Sequence, residues 1–388
     1  MMIDLTTPSP ALLPAGLRDL LPPEAEAEAA LVENLMQVFG GHGYERVAPP
    51  MLEFEDSLLA GAGAAVAEQI FRLVDSDSHR MMGVRADITP QIGRIASSRL
   101  VKAARPLRLS YAGMCLRTRG VAPEMARQVA QVGIELIGPD LPEADGEIVL
   151  VAAEALHRVA VPGLSFDLTM PALVPALLDE AGITGAARSA LLHALDRKDA
   201  AAVAAHGGQL AGILTELLFA AGAADQALSV LERTTLSPEA LRLARRLAAS
   251  VLAIRARSPE LKLTVDPVEF RGFRYHTGVS VTAYSEGGAR ELGRGGRYLS
   301  GANAEPATGI TLFPEALAEV ALAVSPKQRL FVPKGQNGAD SLRAAGFATV
   351  AQLEPALDLE AEARRLRCSH ILRNGVAVAL PVQQTESK

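Results

Sequence analysis

The sequence predicts an α+β fold in which strand-rich stretches stand on both sides of a helical block. Strand patterns dominate residues 44–137 and again residues 261–312. Between them, alanine and leucine fill residues 172–257, where glycines recur as helix ends. The last stretch alternates short strands and helices. We therefore expect an antiparallel-sheet core over residues 1–325, with a helical insertion at about residues 172–257. A small C-terminal α/β domain should follow over residues 326–388.

Two helices are predicted on the N-terminal side of the longest strands. The pair Pro22-Pro23 and the glutamates after it mark the beginning of a helix over residues 18–40. A second helix begins at Thr89 and Pro90 and continues to about Arg99, with the threonine as N-cap and the proline in the first position.

The strands are predicted from apolar and β-branched runs bounded by turn residues. Residues 107–116 and 126–137 follow one another and should pair as antiparallel neighbours. The other strands predicted in the core lie at residues 44–47, 71–75, 80–84, 165–170, 261–265, 275–284 and 308–312. In the tail, strands are predicted at 330–332, 349–350, 371–372 and 376–379, and helices at 339–346 and 357–367.

Composition excludes several classes of protein. The net charge of −6 rules out a polycation that binds nucleic acid, and an aromatic content of 4% without tryptophan argues against a base-stacking surface. Two distant cysteines, Cys115 and Cys368, exclude a disulfide framework and fit a cytoplasmic location. No apolar run is long enough to span a membrane, and Asp4 stands where a signal peptide carries a basic residue.

The common cofactor and metal motifs are missing from the sequence. There is no P-loop, no complete dinucleotide fingerprint and no nucleophile elbow. The seven histidines show no metal-binding spacing. We therefore expect neither a cofactor nor a metal.

Positive charge is concentrated between Arg80 and Arg127. This stretch holds ten Lys or Arg residues and two acids, Asp87 and Glu124, a local excess of eight positive charges. Such a surface indicates an anionic ligand or an acidic partner. The alternative is a solvated helix face together with ordinary strand arginines.

Polar residues on the predicted strands suggest a pocket for a small zwitterion. Gln131 and Glu135 share one strand face, with Gly133 between them leaving room for a ligand. Glu135 could accept from a ring N–H, and Asp87 together with Gln131 could take an ammonium group. Arg117 could bind a carboxylate.

Structural alternatives remain open for each of these residues. Glu135 and Arg117 could form a buried ion pair, and Asp87 could cap the helix that follows it. Arg271, a second candidate for the carboxylate, lies in the segment 271–278, which could be a surface hairpin.

The order of motifs resembles the class II core of histidyl-tRNA synthetase across about residues 12–320. The matching segments are 14–22 (a G-x-R-D-x-x-P pattern), 43–53 (motif 1, with Pro50 at the dimer proline), 116–135 (motif 2 and the next strand), 271–276 (the histidine-recognition segment) and 295–298 (G-G-R-Y). This resemblance implies the class II sheet fold and a dimer through the motif 1 region.

Departures from the synthetase pattern imply that amino-acid activation is lost. Ala316 takes the place of the motif 3 arginine that holds ATP, and Arg119 replaces the motif 2 carboxylate. In the histidine segment, Arg274 replaces an acid and His276 a tyrosine. The loss of one cation that stabilises the transition state should cost several powers of ten in rate.

The segment 84–95, V-R-A-D-I-T-P-Q-I-G-R-I, is similar to the ATP phosphoribosyltransferase regulatory subunit family. This resemblance implies a non-catalytic, allosteric subunit that activates a short-form catalytic subunit and mediates feedback by histidine in the first step of histidine biosynthesis, in a hetero-octamer. It implies a histidine-like pocket made of Asp87, Thr89, Arg117, Arg127, Gln131, Glu135, Arg271, Tyr275, His276 and Tyr298. The alternatives are a divergent, active histidyl-tRNA synthetase and a synthetase-like module that senses tRNA.

Overall fold

The computed structural model describes residues 12–121, 126–270, 275–286, 290–321 and 327–381. The chain forms two compact units, residues 1–323 and 324–388. Each unit is described by itself.

The first unit contains eleven α-helices and twelve strands among its described residues. The helices are α1 (Glu24–Gly41), α2 (Glu55–Leu58), α3 (Thr89–Ser98), α4 (Pro142–Arg158), α5 (Leu173–Glu180), α6 (Gly185–Asp196), α7 (Ala200–His206), α8 (Ala211–Phe219), α9 (Ala224–Arg233), α10 (Pro238–Arg255) and α11 (Pro314–Val320). Short 3₁₀-helices lie at Gly61–Gln69 and Gly208–Leu210. The strands are β1 (Glu45–Arg46), β2 (Leu52–Phe54), β3 (Phe71–Val74), β4 (Met81–Val84), β5 (Leu107–Val121), β6 (Ala126–Ile137), β7 (Ser165–Thr169), β8 (Gly222–Ala223), β9 (Lys262–Asp266), β10 (His276–Tyr284), β11 (Glu291–Ser300) and β12 (Glu305–Leu312).

Nine of these strands form one large sheet in the order β1-β5-β6-β12-β11-β10-β7-β9-β8. Its centre is antiparallel, and β5 pairs with β6 from Leu107 opposite Ile137 to Leu116 opposite Gln128. The other three strands form a small antiparallel sheet in the order β2-β4-β3. The predicted α+β class, the β5–β6 pair and the strands predicted at 71–75 and 80–84 are confirmed.

The two faces of the large sheet have different environments. Val132, Ile134 and Leu136 on β6 belong to the large hydrophobic core, which also contains buried residues of α1, α4 and α10. Because side chains alternate along a strand, Gln131 and Glu135 point to the opposite face. There, Ile88 and Ile92 at α3 pack in a smaller core with residues of β5.

Two local predictions were wrong, and one long strand was not predicted. The first helix begins at Glu24 rather than at residue 18, because the fixed backbone of Pro22-Pro23 precedes its first turn. Thr89 is the first residue of α3 rather than its N-cap, which is Ile88. Strand β11 went unpredicted because it is rich in glycine. A Cβ atom at Gly295 would lie 1.9 Å from the carbonyl oxygen of Gly309, so only glycine fits at this position of the strand. Glycine does not predict a strand.

The second unit is a small α/β fold. Strands β13 (Arg329–Val332), β14 (Ala348–Ala351), β15 (His370–Arg373) and β16 (Val376–Ala379) form a sheet in the order β14-β13-β15-β16, with helices α12 (Ala339–Ala344) and α13 (Leu359–Arg365). Its core contains Phe331, Ala363, Cys368 and Ile371.

Among the described residues, no helix combines the length and the apolar character that crossing a membrane requires.

Candidate functional site

A buried carboxyl group, Glu135, lies at the centre of the candidate site. It stands on β6 opposite Leu109 of β5 and Gly309 of β12, and it is 1% exposed. A Cβ atom at Gly309 would lie 1.9 Å from Oε2 of Glu135. The glycine therefore makes the space that this carboxyl occupies.

Three hydroxyl groups hold the Glu135 carboxyl. Tyr298 donates to Oε2 at 2.8 Å, and Thr89 donates to Oε1 at 3.0 Å. The Tyr111 hydroxyl lies 3.4 Å from Oε1 and 2.7 Å from Oγ1 of Thr311. We call Glu135, Thr89, Tyr111, Tyr298 and Thr311 the inner cluster. Glu135 thus has hydroxyl partners, and among the described residues the alternative of a buried ion pair with Arg117 is not formed.

Burial raises the pKa of Glu135 to about 8, although the hydrogen bonds from Tyr298 and Thr89 act in the opposite direction. The nearby Asp87 carboxylate raises this pKa further. The carboxyl is therefore mostly protonated at neutral pH and can donate one hydrogen bond itself.

The space predicted above Gly133 is filled. A Cβ atom at Gly133 would lie 2.5 Å from the Tyr111 hydroxyl, so this glycine accommodates the protein's own phenol. A ligand that approached the backbone here would have to displace that hydroxyl.

Gln131 and Asp87 position the beginning of α3 over the sheet. Oε1 of Gln131 accepts the backbone N–H of Ile88 at 3.0 Å and the Cys115 thiol at 3.3 Å. Oδ1 of Asp87 accepts the backbone N–H of Thr89 at 3.0 Å, although the N-cap position itself is held by Ile88. Burial raises the pKa of Cys115 to about 12, so the thiol is not a nucleophile at neutral pH.

Aromatic rings extend the inner cluster along β10. The Tyr275 ring lies edge-on to Tyr298, with centroids 6.0 Å apart, and stacks on His276 at 4.3 Å. Burial, assisted by the charge of Arg294, lowers the pKa of His276 to about 3. The imidazole is therefore neutral at physiological pH.

The structure separates two of the predicted site residues from the inner cluster. Arg127 is eight residues from Glu135 on β6, about 27 Å at the rise of a strand. Arg117 lies near the end of β5, where its Nε donates to the carbonyl of Ala86 at 3.4 Å and its own carbonyl accepts Nε of Arg127 at 3.2 Å. Arg271 and Arg274 lie outside the described residues.

Sequence analysis missed Tyr111 and Thr311. Tyr111 lies opposite Gly133 in the β5–β6 pair, so the register of the predicted hairpin contained the information needed to find it. Thr311 also lies opposite Gly133, but on β12, far along the chain. Nothing in its local sequence indicates that role.

Helix α11 begins where the synthetase resemblance places motif 3. Ala316, which takes the place of the motif 3 arginine, is 2% exposed. The neighbouring Glu315 accepts the backbone N–H of Ala130 on β6 at 2.6 Å. This part of the helix is thus bound to the sheet without the side chain that would hold a nucleotide.

In the part of the chain that the structure describes, no three His, Cys, Asp or Glu side chains are grouped as metal ligands.

The family model of histidyl-tRNA synthetase matches residues 16–317. A protein of Gluconobacter oxydans named ATP phosphoribosyltransferase regulatory subunit is 53% identical over 96% of this chain and 98% of its own. A protein of Paramagnetospirillum magneticum with the same name is 51% identical over 93% of this chain and 96% of its own.

Solved structures with the same fold include two relatives of low identity. A Bacillus halodurans protein described as an ATP phosphoribosyltransferase regulatory subunit/histidyl-tRNA synthetase superposes with a TM-score of 0.77 at 22% identity, covering 93% of this chain and 97% of its own. Histidyl-tRNA synthetase of Nostoc superposes with a TM-score of 0.76 at 16% identity, covering 93% and 90%. These likenesses confirm the predicted class II synthetase-like fold.

Proposed function

Because the chain belongs to the ATP phosphoribosyltransferase regulatory subunit family, we propose that it activates a short-form catalytic subunit and conveys inhibition by histidine to it. The family gives the chain a regulatory role in histidine biosynthesis. The observation that carries the proposal is the alignment with named regulatory subunits over nearly the full length of both chains.

The inner cluster supports histidine as the effector. Glu135 offers a buried carboxyl to an imidazole N–H, and Asp87 lies near the beginning of α3 as a carboxylate for an ammonium group. The Tyr111 hydroxyl would leave its position over Gly133 when histidine enters. We therefore place the effector among Asp87, Thr89, Gln131, Glu135, Tyr275, His276 and Tyr298.

The test combines the purified chain with a short-form catalytic subunit. We expect the two to co-purify, transferase turnover to rise on mixing, and histidine to inhibit the complex. Glu135→Gln should weaken that inhibition, whereas Glu305→Gln, which removes a half-buried partner of Arg105 outside the inner cluster, should leave it unchanged. The regulatory proposal would be disproved if the two chains form no complex and mixing them does not raise transferase turnover.

We also propose that synthetase activity has been lost. Ala316 offers no cation at the beginning of α11, and Arg119 stands in place of the motif 2 acid. The match to the synthetase model over residues 16–317 supports the alternative, an active divergent histidyl-tRNA synthetase. Histidine-dependent exchange of pyrophosphate into ATP distinguishes the two, and exchange at synthetase-like rates would favour the alternative.

The small sheet supports a dimer through the motif 1 region. Register places six apolar side chains on one face of β2, β4 and β3, which we call the apolar face. Its members are Leu52, Phe54, Phe71, Leu73, Met82 and Val84. Leu52 and Leu73 are 41% and 37% exposed. The guanidinium groups of Arg80 and Arg127 lie over the Phe54 and Phe71 rings, whereas the two leucines remain exposed. Exposed apolar side chains gain free energy when they are covered, and we propose that a second copy covers this face.

In the proposed assembly, dimers of this chain join the catalytic subunit in a hetero-octamer. We place this complex in the cytoplasm and expect no nucleic acid partner, since the net charge is −6. Sedimentation of the mixed subunits measures the stoichiometry.

A further inference from the structure

Arg294 on β11 lies beside the inner cluster. It stands directly opposite Thr311 of β12, whose hydroxyl is 2.7 Å from that of Tyr111. Residues directly opposite each other on antiparallel strands point to the same face, with Cβ atoms about 5 Å apart. Arg294 therefore places a guanidinium group on the face of the large sheet that also carries Glu135.

The neighbours of Arg294 along β11 belong to the proposed effector site. Because alternate side chains share a face, Tyr298, Gly296 and Arg294 follow one another along it. Tyr298 donates to Glu135, and the His276 ring covers Gly296, where a Cβ atom would lie 2.8 Å from Cδ2 of the ring. Arg294 is thus the next side chain on this face beyond the ring of His276.

The proposed effector is a zwitterion, and its carboxylate needs a cationic partner. The Glu135 carboxyl is mostly protonated and His276 is neutral, because burial shifts both pKa values toward the uncharged forms. Asp87 is an acid and would repel a carboxylate. None of these three residues can therefore compensate the negative end of a bound histidine.

The arginines predicted for this role do not supply the cation among the described residues. Arg117 is eight residues along β5 from Leu109, the partner of Glu135, which is about 27 Å at the rise of a strand. Arg271 lies outside the described residues. Arg294 is a described arginine on the same face as the inner cluster and next to it.

The separation of Arg294 from Glu135 suits an amino acid. Gly309 lies opposite Glu135 on β12, Gly296 lies opposite Gly309 on β11, and Arg294 is two residues farther along β11. With the usual strand spacing and rise, the Cα atoms of Arg294 and Glu135 are about 12 Å apart. Their side chains reach across part of this gap, so a histidine whose ring contacts Glu135 can place its carboxylate at Arg294.

The guanidinium of Arg294 has donors to offer. Its Nε is buried and has no hydrogen-bond partner among the described residues. One terminal nitrogen contacts the carboxylate of Glu291, and the two side chains are 42% and 29% exposed. Such a partly exposed ion pair contributes little stability, so a second carboxylate can displace Glu291.

We infer that Arg294 binds the carboxylate of the effector and selects histidine over imidazole compounds that lack a carboxylate. In the free protein, the Glu291 carboxylate contacts the guanidinium, and the carboxylate of histidine takes its place. This inference rests on the proposed function, because it names the carboxylate partner in the same effector site.

Calorimetry on the full-length chain mixed with a short-form catalytic subunit tests the inference. The probes are histidine and histidinol, in which a hydroxymethyl group replaces the carboxylate. We expect the wild type to bind histidine about tenfold to a hundredfold more tightly than histidinol, and Arg294→Gln to lose this preference by weakening histidine binding alone. Glu291→Gln removes the competing carboxylate and should strengthen histidine binding about twofold to fivefold.

Arg245→Gln is the matched control, since Arg245 is exposed on α10 and has no ion pair with any residue that the structure describes. It should leave both affinities unchanged. Circular dichroism shows whether the variants fold. Arg294→Lys, which keeps the charge but loses the forked donors, should show a preference between those of the wild type and Arg294→Gln.

The inference is overturned if Arg294→Gln keeps the wild-type preference, if it weakens both ligands equally, or if Glu291→Gln does not strengthen histidine binding. Glu135→Gln separates this failure from that of the effector site, because both probes carry the imidazole that Glu135 contacts. If Glu135→Gln weakens both ligands while Arg294→Gln changes neither, the effector site stands and this inference alone fails. If the wild type binds neither ligand, both fail together, and the rise in transferase turnover still tests activation separately.

Discussion

Tyr298 reaches over the intervening strand β12 and donates a 2.8 Å hydrogen bond to Glu135. The two residues are 163 positions apart in the chain, on β11 and β6. The bond is possible because Gly309 has no side chain between them. One buried carboxyl thus links three strands of the sheet, and its protonation affects both the stability of the fold and the properties of the proposed effector site.

Glu135→Gln should flatten the dependence of stability on pH. The folded pKa of about 8 lies above the ordinary value of 4.5. The folded state therefore binds the proton of Glu135 more tightly than the unfolded state does. The stabilisation of the fold by this proton is complete below pH 4.5 and is lost as pH rises to 8. The size of this effect is a few kcal/mol. Urea unfolding of wild type and variant between pH 5 and 8.5 measures it.

The pKa of Asp167 is shifted in the same direction as that of Glu135, because burial raises it to about 6. It contributes equally to both proteins, so the difference between their pH profiles reports Glu135 alone. Parallel profiles would show that Glu135 is ionised in the folded protein.

Gly309→Ala should destabilise the protein by about 3 kcal/mol or more, because the new methyl group would meet Oε2 of Glu135 at 1.9 Å and the carbonyl of Ile134 at 2.6 Å. Adding Glu135→Ala should recover part of this loss, since only the first clash is relieved. Chemical denaturation of the single and double variants measures both effects.

Gly212→Ala on α8 is the matched control. No atom lies within 4 Å of the position of its Cβ, and we expect it to be stabilising by up to about 1 kcal/mol. If Gly309→Ala were equally harmless, this result would contradict the close approach of β12 to the Glu135 carboxyl.

Leu73→Asp should weaken self-association, because it places a charge in the apolar face. Sedimentation over a range of concentrations should show the variant dissociating at concentrations at least about tenfold higher than wild type, a loss of 1.4 kcal/mol or more. Leu353→Asp in the second unit is the control, since Leu353 is 87% exposed and lies outside the apolar face. A monomeric wild type, or a Leu73 variant that associates normally, would contradict the proposed dimer.

Sequence reasoning found those parts of the site that local periodicity encodes. Gln131 and Glu135 share a face because strand side chains alternate, and the structure places Thr89 against Glu135. The hydrogen bond from Tyr298 of β11 to Glu135 could not be predicted from the sequence, because β12 lies between β6 and β11 in the sheet. The alternative that Glu135 pairs with Arg117 is not realised, because neutral hydroxyls satisfy the carboxyl without a second buried charge.

Arg297→Met should destabilise the first unit by about 3–5 kcal/mol. Arg297 on β11 donates through Nε to Asp145 of α4 at 2.9 Å, and their side chains are 6% and 4% exposed. Its other nitrogens donate to the carbonyls of Pro139 and Leu141 at 3.0 and 3.1 Å. The substitution therefore leaves a buried carboxylate and two carbonyls without this partner.

Thermal and urea unfolding of Arg297→Met and of Arg46→Met measure the contrast. Arg46 forms an ion pair with Glu33 in which the side chains are 51% and 57% exposed, so its loss should cost no more than about 1 kcal/mol. Arg246 also contacts Asp145, at 3.1 Å, and keeps part of the carboxylate's charge compensated. Adding Arg246→Met should therefore destabilise the Arg297 variant by more than it destabilises wild type. Additive losses would mean that the two arginines do not share Asp145 in solution.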